Sequence, residues 1–123
     1  MQLSIEMGGK PRTFHFGNGF IGNSLERLGV SVTELFETMG ANPYKIVPIL
    51  MHESYKFNLW MEGKPEDDVT VDDFVRWTSQ VPDIEDGPMN KWIIAFTESR
   101  TKHLPKEDPK SSNSKGKKRP VKK

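Results

Sequence analysis

The chain contains no cysteine, no long hydrophobic run and almost no net charge, and each of these absences excludes something. Without cysteine there are no disulfides, no thiolate metal ligands and no thiol nucleophiles, an inventory that suits a reducing cytosol. No segment approaches the roughly 18 consecutive apolar residues of a membrane span, and the start "MQLSIEMGGKPRTF" lacks the basic patch and apolar stretch of a secretory signal. The expectation is a soluble, unprocessed, cytoplasmic protein with no membrane contact. Internal repeats are also absent.

The net charge of +1 conceals a division along the chain. Residues 1–104 hold ten Lys or Arg against fifteen Asp or Glu, giving −5, while residues 105–123 hold eight against two, giving +6. At 123 residues the chain suits one hydrophobic core. From "PKEDPK" onward the composition is Lys, Ser, Pro, Asn and Gly, which cannot bury enough apolar area to offset the entropy of ordering a backbone. One domain over residues 1–104 and a disordered basic tail over residues 105–123 are therefore expected, with the boundary near Leu104.

Within the body, "QLSIEM" alternates Leu3, Ile5 and Met7 with polar residues, the period of a half-buried strand. "GGK" supplies turn residues, and "RTFHF" resumes the alternation. A hairpin follows, with Leu3, Ile5, Phe14 and Phe16 on one face and His15 on the other. From Asn18 the period becomes helical. Phe20, Ile21, Leu25 and Leu28 mark one short helix stopped by Gly29. "SVTE" reads as a capping box opening a second, with Leu35, Phe36 and Met39 apolar and Gly40 as its stop. "NPYKIVPILMHESYKFNLWMEGK" predicts the longest helix, with Asn42 as N-cap and Pro43 at the first position. Pro48 predicts a kinked or 3₁₀ first turn, and Ile46, Ile49, Leu50, Tyr55, Leu59 and Trp60 predict its apolar stripe. Thr70 caps a fourth helix carrying Val71, Phe74, Val75 and Trp77, and Met89, Trp92, Ile93 and Phe96 mark a fifth. The fold class is thus α+β, mainly α: a short N-terminal hairpin followed by about five packed helices.

Chemistry-bearing patterns are sparse. Asp67/Asp68 and Asp72/Asp73 are adjacent pairs at helix starts, where capping and solvation account for them, because neighbours in sequence do not converge on one substrate atom. His52 and His103 lie in different segments with no His-Glu-x-x-His spacing, so neither a metal nor another cofactor is expected. "GNGFIG" lacks the Gly-x-x-x-x-Gly-Lys order of a phosphate loop and reads as turn chemistry. Nothing resembles a nucleophile elbow, and a non-enzymatic protein is expected. The helices are rich in Met and Trp. These residues either fill a small core or, at Met51, Trp60 and Met61, with Tyr55 on the same helix, form an adaptable surface for an apolar partner.

The order of elements, a hairpin with "GGKPRTFHFG", then "LERLGVSVTELFETMGANPYKIVPILMHESYKF", then a "TVDDFVRW" helix, resembles the tail assembly chaperones of long-tailed bacteriophages and related gene transfer agents. The likeness covers roughly residues 3–100 and rests on Phe14, Phe16, Leu25, Leu28, Gly29, Leu35 and Ile49. It implies a non-catalytic binding protein that coats the aggregation-prone tape measure protein in the host cytoplasm until tail tube protein subunits replace it. A homo-oligomer stays open, as does a longer frameshifted product. The basic tail, with Lys115, Lys117, Lys118, Arg119, Lys122 and Lys123, then reads as a flexible linker end, as an electrostatic contact for an acidic partner, or as a sequence-independent phosphate binder. The last of these defines the alternative function, a small cytosolic adaptor holding nucleic acid through its tail.

Overall fold

The hairpin is built on two glycines. A computed structural model describes residues 2–81 and 87–102, so the expectations for His103, the boundary near Leu104 and the basic tail lie outside the described residues. Strands β1 (Gln2–Met7) and β2 (Lys10–His15) pair antiparallel, with Met7 opposite Lys10 across a two-residue loop. Gly8 and Gly9 take φ of +63° and +86°, the left-handed pair that a twist-matched type I′ turn requires. Gly8 has a second constraint, because a Cβ there would stand 2.5 Å from the Trp77 ring.

Five helices follow: α1 (Asn18–Leu28), α2 (Val32–Ala41), α3 (Pro43–Met61), α4 (Val71–Ser79) and α5 (Pro88–Lys102). Gly29 closes α1 at φ +69°, and its amide returns to the Leu25 carbonyl at 2.8 Å. Ser31 and Glu34 form the expected capping box, and Thr70 with Asp73 forms another at the start of α4. The result is α+β and mainly α, the class expected from the sequence. No helix among the described residues is long and apolar enough to cross a membrane.

Helix α3 is the hub, in contact with β2, α1, α2, α4 and α5. Its buried stripe runs through Val47, Leu50, Met51, Ser54, Tyr55 and Asn58, spaced by three and four. Phe16, Phe20, Trp92 and Phe96 close over one end of this stripe, with the Phe20 ring edge-on to Trp92 at 88° and Phe96 stacked on it at 5.2 Å. The Trp92 indole N–H donates to Ser54 Oγ at 3.1 Å, so the largest core side chain leaves no polar atom unpaired. Phe14, Tyr55, Phe74 and Trp77 form the other end.

Several local expectations are corrected. Helix α2 passes through Gly40 to Ala41, because the Asn42 amide still reaches the Thr38 carbonyl at 3.0 Å. Asn42 makes no side-chain cap, and Pro43 at the first position makes one donor fewer to satisfy. Helix α3 is continuous across Pro48. The proline forfeits one hydrogen bond, to the carbonyl of the exposed Tyr44, and its ring is fully buried in exchange. Trp60 leaves the stripe altogether at 71% exposure, since it stands two residues, about 200°, beyond Asn58. Phe36 and Val75 also face outward, though Phe36 stacks on Phe96 at 5.8 Å.

Trp92→Ala is expected to lower the unfolding free energy in urea by about 3–5 kcal/mol, the range for an aromatic removed from a close-packed core. Trp77, half-buried over the turn, is expected to cost less on the same substitution; equal losses would mean that the turn contact at Gly8 matters as much as the core.

Candidate functional site

The last two turns of α3 carry an aromatic ledge. Phe57 lies over the first turn of α1, so close that a Cβ on Gly19 would sit 2.5 Å from its ring. Gly19 of "GNGFIG" thus serves the approach of an aromatic ring, while Gly17 opens α1 and donates its amide to His15 Nδ1 at 3.1 Å. The His15 ring meets Phe57 edge-on at 5.3 Å, and burial pushes its pKa below the ordinary value. Trp60 then stacks on Phe57 at 5.5 Å and 26°, with one indole face open to solvent. Met61 beside it in sequence is half exposed. A groove of about 440 Å³ runs between this ledge and α1, lined by Asn23, Glu53, Lys56 and Glu66 besides the glycine and the rings.

The groove has a charged wall. Glu53 is almost fully buried, and its carboxylate accepts from Arg27 at 2.6 Å and pairs with Lys56 at 3.4 Å. Arg27 Nη1 also donates to His52 Nδ1 at 3.0 Å, which leaves the imidazole proton on Nε2, donated to the Val69 carbonyl at 3.0 Å. A neutral His52 therefore joins α1 to the loop before α4. Burial pushes its pKa down, the bond to Val69 opposes that, and the nearby Arg27 and Lys56 cations lower it further.

Of the residues nominated from sequence, the structure separates two from two. Met51 is fully buried and Tyr55 nearly so, and their assignment to a partner surface is corrected: both project along the inward stripe of α3. Trp60 and Met61 are exposed. Phe57 and Gly19 belong to the ledge and were not nominated; the aromatic pair spaced by three and the Gly-x-Gly at the start of α1 were the available signals. Lys115, Lys117, Lys118, Arg119, Lys122 and Lys123 lie outside the described residues.

Two other polar groupings are structural. Arg12, expected merely as a strand residue, is buried on the core side of β2, donating to the Met7 carbonyl at 3.0 Å and to the Tyr55 hydroxyl at 3.3 Å. Tyr55 in turn donates to Asp67, whose other oxygen accepts from the Val69 amide at 3.1 Å. Asp67 therefore pins the loop, as a cap does, while its neighbour Asp68 is exposed. No group of three or more His, Cys, Asp or Glu among the described residues is arranged to hold a metal ion.

Stability should depend on pH through His15 and His52. Their folded-state pKa values lie below the ordinary 6.5, so the unfolded chain binds protons first as the pH falls. Stability is complete above pH 6.5 and is lost as the pH drops toward the folded values. Urea titrations between about pH 5 and about pH 7.5 should show unfolding free energy rising with pH, and His52→Gln should flatten part of that slope. An unchanged slope in the variant would place the proton uptake elsewhere.

No protein-family model matches the chain, and no curated protein or solved structure matches it either.

Proposed function

We propose that the chain is a non-catalytic tail assembly chaperone of the long-tailed bacteriophage type, which holds a helical stretch of the tape measure protein in the host cytoplasm and yields it to tail tube protein subunits. The observation that carries this reading is Trp60, 71% exposed and yet held flat on Phe57. An indole fixed in this way has lost most of its rotamer freedom before any partner arrives, so covering its open face costs little further entropy. Tryptophan in that state is the residue type on which binding energy concentrates. The groove beside it offers apolar contact along the rings and a charged wall at Glu53 and Lys56. Such a lining suits an amphipathic helix entering by its apolar stripe. The order of elements, a hairpin followed by α1 to α5 with the Gly29 junction between the first two helices, supports the same reading.

A chaperone of this kind must release its client, and a ledge of two rings and a thioether is suited to release. It supplies a few anchoring contacts and no extended dry interface, so affinity stays in a range that a polymerising tube can displace.

Co-expression with the tape measure protein of the same phage should raise that protein's soluble fraction several-fold. Trp60→Ser with Met61→Ser should remove most of the rescue and leave the thermal melt within about 0.5 kcal/mol of the parent, since both side chains are exposed. Deleting residues 105–123 should reduce the rescue only in part, because exposed charges are screened over about 8 Å at physiological ionic strength. Full rescue by the serine double variant would remove the ledge from the function. Rescue lost with the tail alone, together with steeply salt-dependent RNA or DNA binding, would move the assignment to a nucleic-acid adaptor.

A further inference from the structure

The hairpin has two edges, and they differ. In a two-residue hairpin the residues flanking the turn exchange both backbone hydrogen bonds, and bonded pairs then alternate with unbonded ones. Met7–Lys10, Ile5–Arg12 and Leu3–Phe14 are therefore the bonded pairs, and Glu6–Pro11, Ser4–Thr13 and Gln2–His15 are not. The hydroxyls of Ser4 and Thr13, 2.8 Å apart, fit the closer approach of an unbonded pair. It follows that the amides and carbonyls of Gln2, Ser4 and Glu6 point away from β2, along the outer edge of β1. On β2 the corresponding positions are Pro11, Thr13 and His15, and Pro11 has no amide to give. Proline is a common means of blunting a sheet edge, and β1 carries none.

Among the described residues, no backbone group outside the hairpin bonds to Gln2, Ser4 or Glu6, and all three residues are exposed. Among the described residues, the turn end of β1 lines a groove of about 470 Å³ whose other walls include Trp77, Val81 and Lys91.

We propose that this edge is the contact between two copies of the chain, with β1 of each pairing antiparallel across a twofold axis at Ser4 to make a continuous four-stranded sheet. The sequence "QLSIE" is self-complementary about that point. Gln2 falls opposite Glu6 of the second copy, Ser4 opposite Ser4, and Leu3 opposite Ile5. Every outward amide and carbonyl of the three exposed residues then finds a partner, giving two bonds at each of the three facing pairs. Shifting the register by two residues leaves one of the three pairs unmade. A larger slip, toward the turn, brings Glu6 opposite Glu6, a like-charge pair that destabilises a sheet. On the solvent face, Gln2, whose side-chain amide donates to Asn58 Oδ1 of its own chain at 2.7 Å, faces Glu6 without like-charge repulsion. On the core face, the half-buried Leu3 gains Ile5 as a cross-strand neighbour. The same patch serves both copies, as a closed twofold interface requires.

The contact uses a different surface from the Phe57–Trp60 ledge, so its test is independent of the proposed function. The full chain, sedimented at about 100 μM, should behave as a dimer, and Ser4→Ala should leave it one. Ser4→Asp alone or Ser4→Lys alone sets like charges opposite each other at the axis and should weaken association by about tenfold or more. Mixing the two variants in equal amounts pairs opposite charges and should restore the dimer. Because the chain has no other cysteine, Ser4→Cys should form a disulfide-linked dimer on oxidation, whereas Thr13→Cys on the second strand should not. A parent that sediments as a monomer, charge variants that stay dimeric, or a mixture that stays monomeric would each overturn the proposal.

Discussion

The arrangement of this domain depends on one buried cation. Arg12 sits on the core side of the hairpin at 5% exposure, where an uncompensated guanidinium would be untenable. Compensation comes from three elements at once: the Met7 carbonyl of β1, the Tyr55 hydroxyl of α3, and the face of Trp77 on α4 at 4.4 Å. Each partner must stand where the planar fork can reach it, so the hairpin, α3 and α4 are mutually positioned by a group that tolerates little error. Tyr55 extends the chain of bonds to Asp67, and its own pKa is raised by burial first and by the bond to that carboxylate second. A loop rich in acidic residues is thereby anchored to the core through a neutral phenol.

That constraint reaches the ledge through the phase of α3. With Tyr55 and Met51 directed inward, a helix of 100° per residue places Trp60 on the opposite side, and Met61 follows it outward. The ledge is then completed locally, by Gly19 of α1, which admits Phe57, and by His15 at its edge. Its charged wall is fixed in the same region, because the buried Glu53 carboxylate is held by Arg27 at 2.6 Å and by Lys56 at 3.4 Å, and Arg27 is itself held by His52. The exposed Trp60 ring is consequently held against Phe57 while remaining accessible.

The hairpin carries a second consequence of the same geometry. The register that puts Arg12 inward puts Pro11 on the outer edge of β2, so one edge is blunted by proline and the other, at Gln2, Ser4 and Glu6, presents a full set of backbone donors and acceptors. A two-stranded sheet is marginal by itself, and here it is supported by α3 against β2 and by α5 against β1.

How much of this was legible in the sequence follows from the range of the interactions involved. The alternation of Leu3, Ile5, Met7 and Phe14, the glycines at Gly8, Gly9 and Gly29, and the capping pairs Ser31/Glu34 and Thr70/Asp73 act within a few residues, so order and class of the elements were readable directly, while the run of α2 through Gly40 and of α3 across Pro48 was not. Only the tertiary structure decided which face of α3 is inward, because its apolar residues outnumber the positions one stripe can bury, and the choice of Met51 over Trp60 was made by Arg12 and by the aromatic rings packed around Trp92. Arg12 itself was opaque in sequence, since a charged residue at an inward strand position becomes tolerable only through partners 43 residues away in Tyr55 and farther still in Trp77. Local spacing determined the elements of this protein; the satisfaction of one buried charge across three of them determined which side chains of α3 were left exposed.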